Sequence, residues 1–227
     1  MTATPEAPAL IVPGSDCTNA FRAAYENRYT WEPGFGGYQG LCLWQQGERT
    51  VEGRFQVGAD LKATVEGIED EEIHKAIASQ LWEVAIHRVR RPFEQTHGAN
   101  TFTAGDETPE GLEVIVGGKN SGDRYKIAGN VVTMVHRHIH GTVVTIHTLA
   151  VTDTGHGYLS QRYSSRYSDP ATGAPRGDQQ LFSDTFVPLA DAGPWVLAER
   201  VIESEGEKGG EKGGEQQSFR FLDLSPL

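Results

Sequence analysis

Apolar residues recur at intervals of three and four between Ile68 and Pro92, which predicts an amphipathic helix there. Its apolar stripe consists of Ile73, Ile77, Leu81, Val84 and Ala85. Acidic residues from Glu69 to Glu72 precede this helix, and basic residues from His87 to Arg91 follow it. Both charge runs complement the helix dipole, so we expect neither of them to need a ligand to explain it.

A second, shorter helix is predicted near the N-terminus. Ser15 is a suitable N-cap, and the apolar residues after it follow a helical spacing. These residues are Cys17, Ala20, Phe21, Ala24 and Tyr25. Residues 1–14 contain proline and alanine and are predicted to form a disordered tail.

The rest of the chain alternates between apolar and polar positions, as strands do. Strands are predicted over 38–44 and 50–57 and around Leu61, Ala63 and Val65, and everything after Phe93 is predicted to be strands and turns. Asp153, Asp169 and Asp184 are interpreted as turn formers. The segment 205–215 has no apolar residue and is predicted to be a solvated hairpin loop of glycine, glutamate and lysine.

This order of elements predicts an α+β fold in one domain over residues 15–227. A long antiparallel sheet must cover its apolar face, and a sheet with this many strands twists and curls. We therefore expect a curled antiparallel sheet, a half-barrel, wrapped around the central helix, with the short N-terminal helix beside it. Such a shape often leaves an apolar groove.

Charge and composition exclude some classes of partner. The net charge of -11 argues against nucleic acid, which requires a clustered basic face. No stretch has the roughly 18 apolar residues of a membrane span, and the N-terminus does not have the pattern of a secretory signal, so we expect a cytoplasmic protein. Cys17 and Cys42 are accordingly expected to be reduced. The sequence does not indicate an oligomeric state.

A histidine-rich hairpin is the most suggestive candidate for chemistry. If His140 and Gly141 form a two-residue turn, Ile139 pairs with Thr142, and the side chains of three histidines share one face of the hairpin. These are His136, His138 and His147. Imidazoles in such an arrangement can hold zinc, although His138 and His147 lie roughly 13 Å apart along the ladder. The alternative is that β alternation alone places the histidines on the solvent side of the strand.

A second candidate is the aromatic and basic strand from Tyr158 to Ser168. Arg162 and Arg166 lie on one face and could bind an anionic group, whereas Tyr163 and Tyr167 lie on the other face. Pairing of the arginines with acidic residues on neighbouring strands explains the same pattern without a ligand.

Three segments carry a resemblance to a known family: AYENRYTWEPGFGGY, residues 65–102, and VTDTGHGYLSQRYSSRYSDPATG. They resemble a family of uncharacterised cyanobacterial and chloroplast proteins known only as a domain of unknown function, over about Ala23 to Leu224. This resemblance implies a photosynthetic or related bacterial context and no activity. The order of helix and strands also looks like that of the half-barrel lipoprotein carriers, which hold acyl chains in an apolar groove.

Two functional hypotheses follow, and a structural or assembly role is a third. The preferred one is a non-enzymatic binding protein whose groove holds a lipid, a pigment or another hydrophobic ligand. The other is a metal-dependent enzyme that uses the histidine hairpin, with zinc as a candidate ion.

Overall fold

The structure is a computed structural model that describes residues 15–191, 193–205, 207–208, 211–212 and 215–227. The tail predicted over 1–14 lies outside the described residues, as do 206, 209–210 and 213–214 of the glycine-rich segment. Within that segment, two short strands pair with each other in antiparallel fashion.

The described residues form three helices and fourteen strands. The helices are α1 (Ser15–Glu26), α2 (Glu71–Ile86) and α3 (Phe93–His97). The first seven strands are β1 (Gly37–Gln46), β2 (Arg49–Gly58), β3 (Ala63–Glu66), β4 (Asn100–Thr108), β5 (Gly111–Gly118), β6 (Arg124–Ala128) and β7 (Val131–Ile139). The others are β8 (Thr142–Asp153), β9 (Tyr158–Ser168), β10 (Gln179–Pro188), β11 (Trp195–Glu205), β12 (Glu207–Lys208), β13 (Glu211–Lys212) and β14 (Gln216–Pro226).

Twelve of these strands form one open antiparallel sheet in the order β3-β2-β1-β14-β11-β10-β9-β8-β7-β6-β5-β4. Strands β4 to β11 follow one another as a meander, and β14 returns to pair with both β11 and β1. The sheet curls over helices on its concave face. The predicted α+β class and the predicted curled antiparallel half-barrel are confirmed.

Helix α2 begins where its sequence provides a cap. The carboxylate of Asp70 accepts hydrogen bonds from the backbone N–H groups of Glu72 and Ile73, at 3.0 and 3.2 Å. The five predicted stripe residues are all buried. They pack against aromatic residues of β1, β2, β10 and β14, and we call this cluster the α2 core. Its central aromatic residues are Tyr38, Trp44, Phe55, Phe182, Phe186, Phe219 and Phe221.

The interior differs from the prediction because the sheet covers two apolar clusters, not one. Helix α1 packs over β4, β6 and β7 with α3 beside it, and together with residues of β5 they form a separate cluster, which we call the α1 core. Its members include Cys17, Phe21, Tyr25, Phe93, Val114 and Tyr125. An apolar groove around α2 would therefore be bordered by only one half of the sheet.

Two local predictions are wrong. Helix α3 occupies residues 93–97, where only strands and turns were predicted, and its Phe93 is buried in the α1 core. Asp184 was interpreted as a turn former, but it lies within β10 and is only 2% exposed.

Candidate functional site

The histidine hairpin has the predicted register. Ile139 pairs with Thr142, His136 with Thr145 and Met134 with His147. The turn residues His140 and Gly141 have φ angles of 50° and 76°, which is the left-handed geometry of a two-residue hairpin turn.

Each histidine of the hairpin has a different neighbour. The ring of His136 contacts the hydroxyl of Thr145 at 2.9 Å, whereas the Nδ1 atom of His138 lies 3.3 Å from the buried carboxylate of Asp123. His147 lies 3.9 Å from Glu110. The rings of His136 and His138 are 5.8 Å apart, but His147 is turned toward another partner. Among the described residues, no group of three or more histidine, cysteine, aspartate or glutamate side chains is arranged to hold a metal ion.

The predicted arginine and tyrosine residues of β9 lie on opposite faces of the sheet. Arg162 and Arg166 are exposed on the outer face, opposite Ser183 and Thr145 respectively. Tyr163 faces the α2 core and stacks on Phe182 at a centroid distance of 4.8 Å. Tyr167 is 47% exposed. The four side chains therefore do not converge on one ligand, and only Tyr163 reaches the interior.

A buried ion pair lies next to Tyr163, between β10 and β11. Arg200 is directly opposite Asp184 in the ladder, and its guanidinium donates two hydrogen bonds to that carboxylate at 2.8 and 2.7 Å. The two residues are 1% and 2% exposed. Burial alone would lower the pKa of Arg200, but the hydrogen bonds and the charge of Asp184 raise it above its ordinary value.

This ion pair also ties α2 to the sheet. Arg200 donates to the side-chain oxygen of Gln80 at 2.8 Å and to the hydroxyl of Tyr163 at 2.8 Å. The half-exposed carboxylate of Glu83 lies 3.5 Å from the same guanidinium. Arg200 therefore engages both carboxylates of this region.

Arg88 is a second cation at the C-terminal end of α2. Its guanidinium carbon lies 5.3 Å from the ring centroid of Phe186, and its Nη1 atom donates a long 3.4 Å hydrogen bond to the carbonyl of Tyr29. Burial lowers the pKa of Arg88 to about 10, and the negative charge of Asp184 opposes this change only in part. Among the described residues, no carboxylate lies within ion-pair distance of Arg88. The sequence had assigned Arg88 to the helix dipole, and the structure corrects this because the guanidinium turns toward the core.

Three buried side-chain polar atoms have no hydrogen-bond partner in the described part of the chain. They are the hydroxyl of Tyr38, the indole nitrogen of Trp44 and the Nε atom of Arg88. Tyr38 and Trp44 belong to the α2 core, and Arg88 contacts it through Phe186. The α1 core contains none of these atoms. The unpaired polar atoms are thus grouped in one half of the molecule.

Comparison with known proteins identifies the family. A family model described as "Protein of unknown function (DUF3386)" matches residues 12–227. The chain belongs to this family. Among curated proteins, none matches the chain.

Two solved structures have distant similarity to the chain. A LolA superfamily protein from Nitrosomonas europaea has 9% sequence identity and a TM-score of 0.33, with 93% of each chain covered. A DUF1329 family protein from Desulfovibrio piger has 7% identity and a TM-score of 0.25, with 92% of each chain covered. At these values neither similarity supports an inference about what this chain binds.

The surface of the sheet opposite α2 holds a shallow depression. It has a volume of about 340 Å³ and is lined mainly by polar side chains of β1, β2 and β3, among them Gln39, Arg54 and Glu66. It lies on the outer face, because Gln39 alternates with the buried Tyr38. In the described part of the chain, no helix is long and apolar enough to cross a membrane.

Sequence patterns contained a signal for the buried ion pair that the prediction missed. Asp184 has the same parity along β10 as Phe182 and Phe186, and Arg200 has the same parity along β11 as Ile202. A charged residue on the apolar side of an alternating strand indicates a buried partner. Arg88 gave no such signal, since it follows the end of a helix.

Proposed function

We propose that this protein is a non-enzymatic binding protein that takes up a hydrophobic ligand in the α2 core, between α2 and the sheet. The observation that carries this proposal is the grouping of Tyr38, Trp44 and Arg88, whose buried polar atoms lack partners among the described residues, around this one core. Unpaired buried donors destabilise a core that is only structural, whereas in a binding site a ligand can supply the acceptors.

Unpaired buried donors in the α2 core have an energetic cost. A buried donor without an acceptor costs about 1 to 3 kcal/mol, and native proteins pair roughly 90% or more of their buried polar groups. All three groups can donate a hydrogen bond. An acceptor that arrives with a ligand would recover this free energy.

The dimensions of the α2 core suit an elongated ligand. Tyr38 and Trp44 are six positions apart on β1, which corresponds to about 20 Å along the strand. The side chains packed between α2 and the sheet are aromatic and aliphatic over this length, and a ligand would replace part of their contacts with each other. A lipid or pigment tail would bury its apolar area there.

Helix α2 is the layer that would move to admit the ligand. Its N-terminal end is held by a solvent-exposed ion pair between Asp70 and Arg49, at 2.7 Å, and by a 3.0 Å contact between the ring of His74 and the carbonyl of Val65. The exposed ion pair contributes little to stability, so the main contact that has to break is the hydrogen bond from Arg200 to Gln80. The C-terminal end carries Arg88, which retains partial exposure and marks the mouth of the proposed site.

A nitroxide-labelled fatty acid tests the proposal through tryptophan fluorescence. Trp31, Trp44 and Trp195 lie in or against the α2 core, whereas Trp82 is 51% exposed on the outer side of α2. We expect saturable quenching at one ligand per chain when 16-doxyl stearate is titrated into delipidated protein. Native mass spectrometry after mild isolation should also show a co-purified apolar molecule.

Two tryptophan variants provide the matched comparison. The Trp44→Phe variant should lose part of the quenchable fluorescence, and the Trp82→Phe variant should lose mainly the fluorescence that is not quenched. An absence of saturable quenching, or quenching that disappears only with Trp82, would exclude binding in the α2 core.

The remaining expectations from the sequence stay predictions. These are the zinc site at His136, His138 and His147, the cytoplasmic location, the absence of a nucleic-acid partner and the alternative assembly role. Elemental analysis of protein purified without an affinity tag, together with melting in a chelator, tests the metal-dependent alternative.

A further inference from the structure

The two arginines at the α2 core differ in their carboxylate partners. Arg200 holds Asp184 through two hydrogen bonds and also approaches Glu83. Within the described part of the chain, the guanidinium of Arg88 has only the long hydrogen bond to a backbone carbonyl and its contact with the face of Phe186. A largely desolvated cation of this kind is costly unless it is paired with an anion.

Trp31 places Tyr38 near Arg88, because its backbone N–H donates to the carbonyl of Arg88 at 2.8 Å and its ring centroid lies 6.1 Å from that of Tyr38. Tyr38 is 0% exposed, and its ring contacts Trp31 and Phe55. Burial raises the pKa of this hydroxyl, and the positive charges of Arg88 and Arg200 oppose that rise. Tyr38 therefore stays protonated and is a hydrogen-bond donor without an acceptor among the described residues.

We infer that the ligand of the α2 core carries an anionic head group, a carboxylate or a phosphate, which binds to Arg88 with the Tyr38 hydroxyl as a second donor. This inference rests on the proposed function and adds the chemical class of the ligand. Guanidinium groups bind carboxylates and phosphates through parallel hydrogen bonds, and such charge-assisted bonds are about twice as strong as neutral ones.

The position of Arg88 gives the ligand a direction. Arg88 lies at the C-terminal end of α2 and is partly exposed, while Ile73 and Ile77 are buried toward the other end of the helix. The anionic head would sit near the mouth beside Arg88, and the apolar tail would extend along β1 toward Trp44. A neutral ligand of the same length would gain the apolar contacts but leave Arg88 without an anion.

A purely structural role for Arg88 makes a different prediction. If its contacts with Tyr29 and Phe186 served only to hold the end of α2, replacement of Arg88 would lower the melting temperature of the ligand-free protein. If Arg88 is a ligand-binding residue, the Arg88→Met variant should melt at or above the temperature of the unmodified protein, because an uncompensated cation has been removed.

Calorimetric titrations with three twelve-carbon ligands at pH 8 test the inference. Dodecanoate and dodecyl phosphate carry anionic heads, and dodecanol has the same chain with a neutral head. We expect at least one of the two anions to bind about tenfold or more tightly than dodecanol. The two anions distinguish a carboxylate site from a phosphate site.

Variants of Arg88 test whether this residue is responsible for the preference for an anionic head group. The Arg88→Met variant should bind dodecanol as the unmodified protein does but lose the preference for the anion, and the Arg88→Lys variant should keep part of it. Arg90 is an exposed arginine two residues further on, so the Arg90→Met variant is the matched control and should keep the full preference.

The outcomes separate the two proposals. Equal affinities for all three ligands in the unmodified protein would overturn the anionic head group and leave the binding function standing. A lack of binding by all three would overturn the binding function itself. An equal loss of the preference for the anion over dodecanol in Arg88→Met and Arg90→Met would also overturn the inference. If Arg88→Met does not fold, the comparison of Arg88→Lys with the unmodified protein decides whether Arg88 binds the anion.

Discussion

Tyr38 and Tyr158 hold buried hydroxyls in opposite situations. The hydroxyl of Tyr158 accepts a hydrogen bond from the backbone N–H of Val132 at 3.1 Å. The hydroxyl of Tyr38 has no partner among the described residues. The same atom thus stabilises one side of the molecule and, without a ligand, destabilises the other.

This contrast predicts opposite effects of the same substitution. The Tyr38→Phe variant of the ligand-free protein should be as stable as the unmodified protein or more stable, because it removes an unpaired polar group. The Tyr158→Phe variant should lose about 1 to 3 kcal/mol, since it leaves the buried N–H of Val132 without an acceptor. Urea unfolding of both variants measures this, and equal losses would contradict it.

His97 is a buried histidine whose charge state responds to pH. It is 5% exposed and surrounded by the rings of Phe21, Tyr25 and Phe93. Burial lowers its pKa from 6.5 to about 4. Between these two values the unfolded chain binds a proton that the folded chain does not, so the stabilisation is complete above pH 6.5 and is lost as the pH falls.

We therefore expect the free energy of unfolding to decline below about pH 6.5, by at most about 1.4 kcal/mol per pH unit from His97. The His97→Phe variant should show a shallower decline. His87 and His136 shift in the same direction, so part of the slope remains in this variant. Unchanged slopes in His97→Phe would show that this residue does not contribute.

Among the helices and strands, those with a long and regular pattern of apolar residues were the ones that the sequence predicted. The sixteen residues of α2 and the register of the β7–β8 hairpin were predicted, because a long apolar stripe and a His140-Gly141 turn leave few alternatives. Helix α3 was missed because five residues do not complete a recognisable helical period. Strand β4 continues to Thr108 through a bulge between Ala104 and Glu107, a feature that the alternation of apolar and polar residues does not indicate.

The contacts between β10, β11 and α2 depend on Asp184. The Asp184→Asn variant leaves Arg200 buried without its main counter-charge, and we expect a loss of about 3 to 5 kcal/mol in urea unfolding. The double variant Asp184→Leu with Arg200→Met should recover most of this loss, because both charges leave together.

Asp169 provides a matched control for this substitution. Its carboxylate pairs with Arg176 in an exposed turn, where the hydrogen bond from Arg176 lowers the pKa of Asp169 to about 2. Solvent screens such pairs, so the Asp169→Asn variant should change stability far less than Asp184→Asn. Similar losses in the two variants would contradict the buried role of Asp184.

At the scale of the whole molecule, one sheet covers two cores. The order of strands and the curl follow from the antiparallel alternation that the sequence displays. The division into the α1 core and the α2 core could not be predicted in the same way, because strand periodicity states which residues face inward but not which helix covers them. The location of Arg88 and Tyr38 in one core depends on this division.

The two cysteines report on the two cores separately. Cys17 lies in the α1 core and Cys42 in the α2 core, and both are free thiols. Burial raises the pKa of both thiols, that of Cys42 to about 11. Because the sheet continues without interruption from β7 of the α1 core through β8 and β9 to β10 of the α2 core, we propose that the two cores unfold together as one domain.

Thiol labelling in increasing urea tests this proposal. The Cys42→Ser variant leaves only Cys17 reactive and the Cys17→Ser variant leaves only Cys42 reactive. In each variant, the remaining thiol should become reactive at the same urea concentration as the midpoint of that variant's tryptophan fluorescence transition. A midpoint for Cys17 that differs from the fluorescence transition would show that the two cores are independent units.

A crystal structure with 12-bromododecanoate would locate both ends of a bound ligand through its bromine and its carboxylate. If the ligand binds in the α2 core, we expect a bromine signal between α2 and β1 and the carboxylate within hydrogen-bond distance of Arg88. A bromine signal confined to the outer depression near Gln39, or a carboxylate bound away from Arg88, would contradict this expectation.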